Sequence, residues 1–284
     1  MSNTTKKYLP FFLIPLFFIL PIYLLFLQGY FTLPKELGFG IIRIRMYSIL
    51  LFSSIYSVAY FFNKYKTEDK ETRRVDTFEA ILWIIIPAIV GGRLWHVITD
   101  YEIYATDLEV AFELWNGGLG LFGGMIGGLI GAFLYTYKKK IKLIKSLSLL
   151  CVFLPLGQVI GRFGNLANRE LYGWKTDLPW GLYISHLDKA FHPSFAYEQL
   201  GNYILFFILF IQFKYKGLQS NYIGYYLAGY GIVRFFVDFT RTEERVLMDF
   251  TVAQITSIVL ILIVSGYFVK LKLFEKKKWK LWKS

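Results

Sequence analysis

The chain has 284 residues, 55% of them hydrophobic and 20% aromatic, and carries a formal net charge of +12. Its apolar residues come in unbroken runs near the ~20 residues that a helix needs to cross ~30 Å of hydrocarbon, which excludes a soluble domain, and they do not alternate, which excludes a membrane barrel. The lysines sit in short stretches between those runs rather than in a basic patch, so the positive charge points to a bilayer and excludes a nucleic-acid partner.

The pattern predicts an all-α polytopic integral membrane protein with about eight transmembrane helices, near 9–29, 41–62, 78–98, 117–137, 144–164, 195–213, 222–241 and 250–270. Basic stretches follow alternate spans: Lys64 to Arg74, Lys138 to Lys145, Lys214 with Lys216, and the tail from Lys270. Together with Lys6 and Lys7 they place both termini in the cytoplasm, whereas Asp100 to Glu113, rich in acids, falls outside. Residues 1–30 read as an extra membrane anchor, because the apolar run is long for a signal peptide and no small-x-small cleavage site follows it. Residues 31–272 then form one polytopic domain with an outer-side polar segment at about 165–194, and 273–284 form a basic cytoplasmic tail. The single cysteine, Cys151, lies in an apolar stretch and excludes both an internal disulfide and a cysteine metal cluster.

Several segments depart from a plain apolar helix. Span two opens with Arg45-Met46-Tyr47, and span three places Arg93 after Gly91-Gly92. Span four opens Trp115-Asn116-Gly117-Gly118 and carries two glycine rows at i, i+4 spacing: Gly120, Gly124, Gly128 and Gly123, Gly127, Gly131. Such rows let a neighbouring backbone approach closely, or leave room for an acyl chain. Span five ends in Gly161-Arg162-Phe163-Gly164-Asn165-Leu166-Ala167-Asn168-Arg169-Glu170-Leu171-Tyr172-Gly173, where glycine and asparagine predict that the chain breaks at the outer surface. Span six opens His192-Pro193-Ser194-Phe195-Ala196-Tyr197-Glu198; proline suits the first helical position, which puts His192 near the N-cap. Span seven carries Tyr230, Arg234, Asp238 and Arg241 on one stripe, where Arg234 and Asp238 can pair.

The two cations are distributed differently. Lysines follow the orientation rule, but eight of the ten arginines (Arg43, Arg45, Arg93, Arg162, Arg169, Arg234, Arg241 and Arg245) fall at the outer ends of spans. Arginine's planar fork binds phosphate in a bidentate way that lysine cannot match, so the pattern predicts a phosphate site at outer-leaflet headgroup depth.

Taken together these segments resemble the prolipoprotein diacylglyceryl transferase family, from about Ile41 to the end of span eight. Gly161 through Gly173 matches the family signature, His192-Pro193-Ser194 with Tyr197-Glu198 looks like its H-P-S-x-x-Y-E, and Tyr230-Gly231 with Arg234, Asp238 and Arg241 looks like its span-seven motif. Arg45-Met46-Tyr47-Ser48 is similar to its R-x-Y-G with serine for glycine, and Phe122 stands where the family often has histidine. The resemblance implies a reaction without metal or cofactor in a bacterial plasma (inner) membrane, with the active site toward the outer leaflet. A lipobox cysteine thiol of a prolipoprotein signal peptide displaces glycerol phosphate from phosphatidylglycerol. It implies catalytic roles for Arg162, Arg234, Tyr47, Asn165, Glu170 and His192, with Glu170 and Asp238 holding the arginines. It implies lipid contacts from Arg162, Arg234, Arg93, Asn165, Asn168, Tyr230, Arg241, Asp238 and Gly173. With Phe122 unable to take a proton, the arginine field is expected to activate the thiol, and His192 mainly to cap its helix. Two other readings stay open: a transporter of an anionic solute, and a lapsed relative that binds lipid without catalysis.

Overall fold

A computed structural model describes residues 3–39, 42–105, 109–114 and 117–283. In chain order its helices are α1 (Asn3–Leu27), α2 (Met46–Tyr65), α3 (Thr77–Thr99), the single turn α4 (Tyr101–Tyr104), α5 (Leu121–Lys139), α6 (Leu143–Asn168), α7 (Ser194–Lys216), α8 (Tyr222–Asp238) and α9 (Val252–Lys283). Among the described residues six stretches are long and apolar enough to cross a membrane: Thr4–Leu27, Met46–Glu68, Thr77–Thr99, Leu143–Asn168, Ser194–Lys216 and Val252–Leu271. The protein is therefore a helical membrane protein. The other two expected spans correspond to α5, whose glycines dilute its hydropathy, and to the 17-residue α8, which carries Arg234 and Asp238.

Among the described residues three two-stranded antiparallel pairs lie between the helices, which an all-α reading did not anticipate: β1 (Glu36–Phe39) with β2 (Ile42–Arg45), β3 (Leu182–Ile184) with β4 (Lys189–Phe191), and β5 (Arg245–Leu247) with β6 (Phe250–Thr251). The first corrects the expected start of span two. Ile42-Arg43-Ile44-Arg45 alternates with period two, the strand period, and Arg45 pairs across the hairpin with Glu36. Helix α2 starts only at Met46. Span four likewise begins late. Gly117 and Gly118 have φ of +87° and +75°, outside the helical region, and α5 starts at Leu121; Trp115 and Asn116, expected to open it, lie outside the described residues.

The chain divides into two compact units, Met1–Phe61 with Leu150–Ser284, and Phe62–Leu149. The second is built on α3 against α5. A Cβ on Gly123, Gly127 or Gly131 would collide with the carbonyl oxygens of Gly91, Pro87 and Trp83, so this glycine row serves backbone-to-backbone packing. Gly124 and Gly128 of the other row keep ordinary contact distances to α3 atoms, 3.6 Å at the nearest. In the same unit Arg93, at 7% exposure, donates to five backbone carbonyls: Ala111 from Nε, Gly117 and Gly118 from Nη1, Val110 and Glu113 from Nη2. A guanidinium has five N–H groups, and this arrangement engages them all.

In the first unit α7 packs against both α1 and α8, and α8 against α9. Helix α1 is seated by Tyr23, which donates to Gln199 Oε1 at 2.7 Å, and by Phe12, whose ring lies among Tyr203, Phe206, Phe207 and Phe210. Arg169 fastens the end of α1 to β3, donating to the carbonyls of Tyr183 and, at 3.1 Å, Phe26. Helix α2 lies close along α6 at two glycines seven residues apart. Ser54 donates to Gly157 O at 2.7 Å, and the Tyr47 ring covers Gly164.

Candidate active site

Helix α7 carries its one carboxylate, Glu198, in its second turn, inside a membrane-spanning stretch. A buried charge persists only when paired and hydrogen-bonded, and Glu198 is paired from two helices. Arg162 of α6 donates from Nη2 to Oε1; from α8, Tyr230 donates to Oε1 at 3.1 Å and Arg234 Nη1 to Oε2 at 3.4 Å. One turn further along α8, Asp238 Oδ1 lies 2.9 Å from Arg234 Nη2 and 3.9 Å from Arg241 Nε, while Thr251 donates to Oδ2. Arg241 also holds Glu243 at 2.6 Å.

The end of α6 adds an amide relay. Arg162 Nη1 donates to Asn165 Oδ1 at 3.1 Å, and Asn165 Nδ2 and Asn168 Nδ2 donate to Glu170 Oε1 at 3.0 and 3.2 Å. The helix breaks within the expected segment but later than the span end near 164, running through Gly161 and Gly164 to Asn168. It ends at Arg169 with φ +51°, a left-handed residue that turns the chain back and lets the Glu170 N–H reach Asn165 O. Glu170 thus meets the two asparagines and reaches Arg162 through Asn165.

Two backbone crossings fix the rim. Gly173 N–H donates to His192 O, and Trp174 N–H donates to Thr240 O, so the signature's last glycine lies beside Thr240 and bridges to Arg241. A Cβ at Gly173 would strike Thr240 O, which is why this position demands glycine. Helix α7 starts one residue later than expected, with Pro193 at the cap and no side-chain cap bond, so His192 is not the cap. Its Nδ1 lies 3.1 Å from the Tyr197 hydroxyl, whose oxygen accepts from Trp180 Nε1.

Charge and exposure separate the groups by depth. The Arg162 and Arg234 side chains are 22% and 18% exposed, but Glu198 and Asp238 only 1% and 0%. The carboxylates are buried backing, and the guanidinium groups keep an open face. Each guanidinium uses two of its five donors in the contacts above, which leaves N–H groups in its planar fork for two oxygens of a tetrahedral anion such as phosphate.

Residues 34–270 match the family model for prolipoprotein diacylglyceryl transferase. The chain belongs to this family. It is 35% identical over 195 residues to phosphatidylglycerol–prolipoprotein diacylglyceryl transferase of Finegoldia magna, covering 68% of this chain and 77% of that one. It is 33% identical over 239 residues to the protein of the same name from Fervidobacterium nodosum (81% and 82% covered), and 33% over 214 residues to that of Clostridioides difficile (74% and 85%).

Within this family member, Arg162, Asn165, Asn168, Glu170, Tyr230, Arg234, Asp238 and Arg241 form one network, with Gly173 against its rim. Tyr47 stands on Gly164, one helical turn from Asn168. Arg93 does not present its guanidinium to a ligand, since backbone carbonyls take all five donors. Glu198, the hub, was named in a motif but not counted as a site residue. A carboxylate so near the start of an apolar helix was the available signal, because it must have a cation beside it.

Proposed function

We infer that this protein moves the diacylglyceryl group of phosphatidylglycerol onto the lipobox cysteine thiol of a prolipoprotein, forming a thioether and releasing glycerol phosphate. Family membership supports the reaction, and one observation carries the mechanism: Arg162 and Arg234 share Glu198 while keeping an exposed face. The sulfur bonds to the glyceryl carbon that bore the phosphate, the C–O bond breaks, and its electron pair leaves on glycerol phosphate. Charge grows on the phosphate oxygens during that step, where preorganised guanidinium donors lower the barrier. Asn165 and Tyr230 orient the two arginines, and Asp238, Glu170 and Asn168 hold that layer in place. Tyr47 and Arg241 border the headgroup.

His192 is a positioning residue in this scheme. Tyr197 lies 3.1 Å from Nδ1, and Trp180 Nε1 in turn donates to Tyr197, contacts that fix the orientation of the ring. The substrate thiol, with an ordinary pKa of ~8.5, instead gains its thiolate fraction from the guanidinium groups beside it.

The membrane reading completes the proposal: eight spans with α5 and α8 included, both termini cytoplasmic, and the arginine cluster at the outer leaflet of a bacterial plasma membrane. Residues 1–30 act as an added anchor seated on α7, and 273–284 as a basic tail. Cysteines placed singly in a Cys151→Ala background test the orientation. Lys35, Asp107, Lys175 and Met248 should label from outside, and outside labelling of Lys66 or Lys139 would overturn it. The activity is tested with purified protein in phosphatidylglycerol vesicles and a lipobox peptide. A mass increase of one diacylglyceryl group on the peptide cysteine is expected, and an unmodified peptide refutes the assignment.

A further inference from the structure

One helical turn from the arginine cluster, three helices each carry another polar side chain. Gln158 precedes Arg162 by four residues on α6, Asn202 follows Glu198 by four on α7, and Tyr226 precedes Tyr230 by four on α8. Helices α6 and α8 run toward their cluster residues and α7 runs away from its own, so all three offsets have the same sense, about 6 Å deeper into the bundle. The Tyr226 and Tyr230 rings stack at 6.1 Å, which ties the two layers together.

This second layer is polar without being satisfied. Asn202 is fully buried, and neither its Oδ1 nor its Nδ2 has a hydrogen-bond partner among the described residues. Gln158 bonds to the Tyr226 hydroxyl while its own Oε1 has no partner. Leaving a buried polar group unpaired costs about 1–3 kcal/mol, so two such amides at one depth of an apolar bundle mark a place where something else supplies the partner.

We propose that Asn202 and Tyr226, backed by Gln158, bind the ester carbonyls of the donor lipid. The proposal rests on the reading of Arg162 and Arg234 as the phosphate site. In a phosphatidyl lipid the two ester groups follow the phosphate directly toward the acyl chains, which is the direction from the first layer to the second. An ester carbonyl accepts and never donates. Asn202 Nδ2 supplies N–H donors, and Tyr226, whose oxygen is bonded to Gln158, has its O–H left to donate. Two carbonyls thus meet two donors, and the layer selects a diacyl lipid over one lacking carbonyls.

The test compares phosphatidylglycerol with its diether analogue, in which both carbonyls are replaced by methylenes. Wild-type protein should use the diether with kcat/KM lower by about tenfold or more, the scale of one or two hydrogen bonds. Asn202→Leu should lower transfer from the diester toward the diether level while leaving the diether rate within about twofold. Tyr226→Phe, which keeps the ring stack, should shrink the preference in the same way and serves if Asn202→Leu does not fold. Equal use of both lipids by wild type overturns the proposal. So does an equal loss on both lipids in the variants, the mark of a trapped water or a purely structural role. Failure of wild type to transfer from either lipid removes the phosphate reading and this inference with it, an outcome distinct from equal use of both.

Discussion

Arg93 and the pair Arg162 with Arg234 are the same residue type, all largely buried near helix ends, and they do opposite things. Arg93 spreads five N–H groups over five carbonyls of the 110–118 segment and stacks 5.3 Å over Tyr104, so it fastens a loop to α3. Arg162 and Arg234 rest on carboxylates and keep donors over. Carbonyl ligands exhaust a guanidinium without cancelling its charge; a carboxylate cancels charge but leaves N–H groups free. Only the second arrangement suits an anion that arrives and leaves.

Substitution by lysine separates the two kinds most sharply. Arg162→Lys and Arg234→Lys keep the charge but lose the fork, and each should cut transfer by about 10²–10³ at normal protein levels, measured as kcat with saturating lipid. Near-normal rates in both would remove the phosphate role. Arg93→Lys replaces five donors by three and should instead cost about 2–4 kcal/mol of stability, seen as a lower Tm in detergent with near-normal kcat in the folded fraction. A large kcat loss at unchanged Tm would place Arg93 in the chemistry after all.

Smaller effects refine the contrast. His192→Asn removes the titrating ring and should keep transfer within about tenfold, whereas loss of a true general base costs about 10²–10⁴. A fall beyond a hundredfold in folded protein, with loss of the acid limb of the pH–rate profile, would make His192 the base. Cys151→Ala should change almost nothing, since Cys151 is buried and the attacking thiol belongs to the substrate. Inactivity of that variant would contradict the reaction as written.

Much of this was legible in the residues. Long apolar runs fixed where the helices fall, because lipid leaves the backbone no alternative. Tyr230, Arg234 and Asp238 were legible from helical spacing alone, since α8 presents them on one stripe; Arg241, expected on the same stripe, lies past the end of α8 and bridges to Gly173 instead. What failed depended on local exceptions and on packing. The Ile42–Arg45 strand hid at the edge of an apolar run, although its alternation was readable. The route from Glu170 to Arg162 through Asn165 could not be read from spacing, because a single left-handed residue, Arg169, reverses the chain after α6. The hub role of Glu198 requires three helices to meet, and no spacing within one helix reports that.

The backing carboxylates also bear on turnover. Arg162 and Arg234 carry two positive charges, and Glu198 with Asp238 carry two negative ones, so the quartet is neutral at a distance. In the proposed reaction a phosphodiester with one negative charge becomes a phosphomonoester with nearly two. A bare pair of arginines would hold that product more tightly than the substrate and clog the enzyme. A neutral quartet offers directional donors while the bond breaks and little long-range attraction afterwards, so glycerol phosphate can depart into water and free the site for the next lipid.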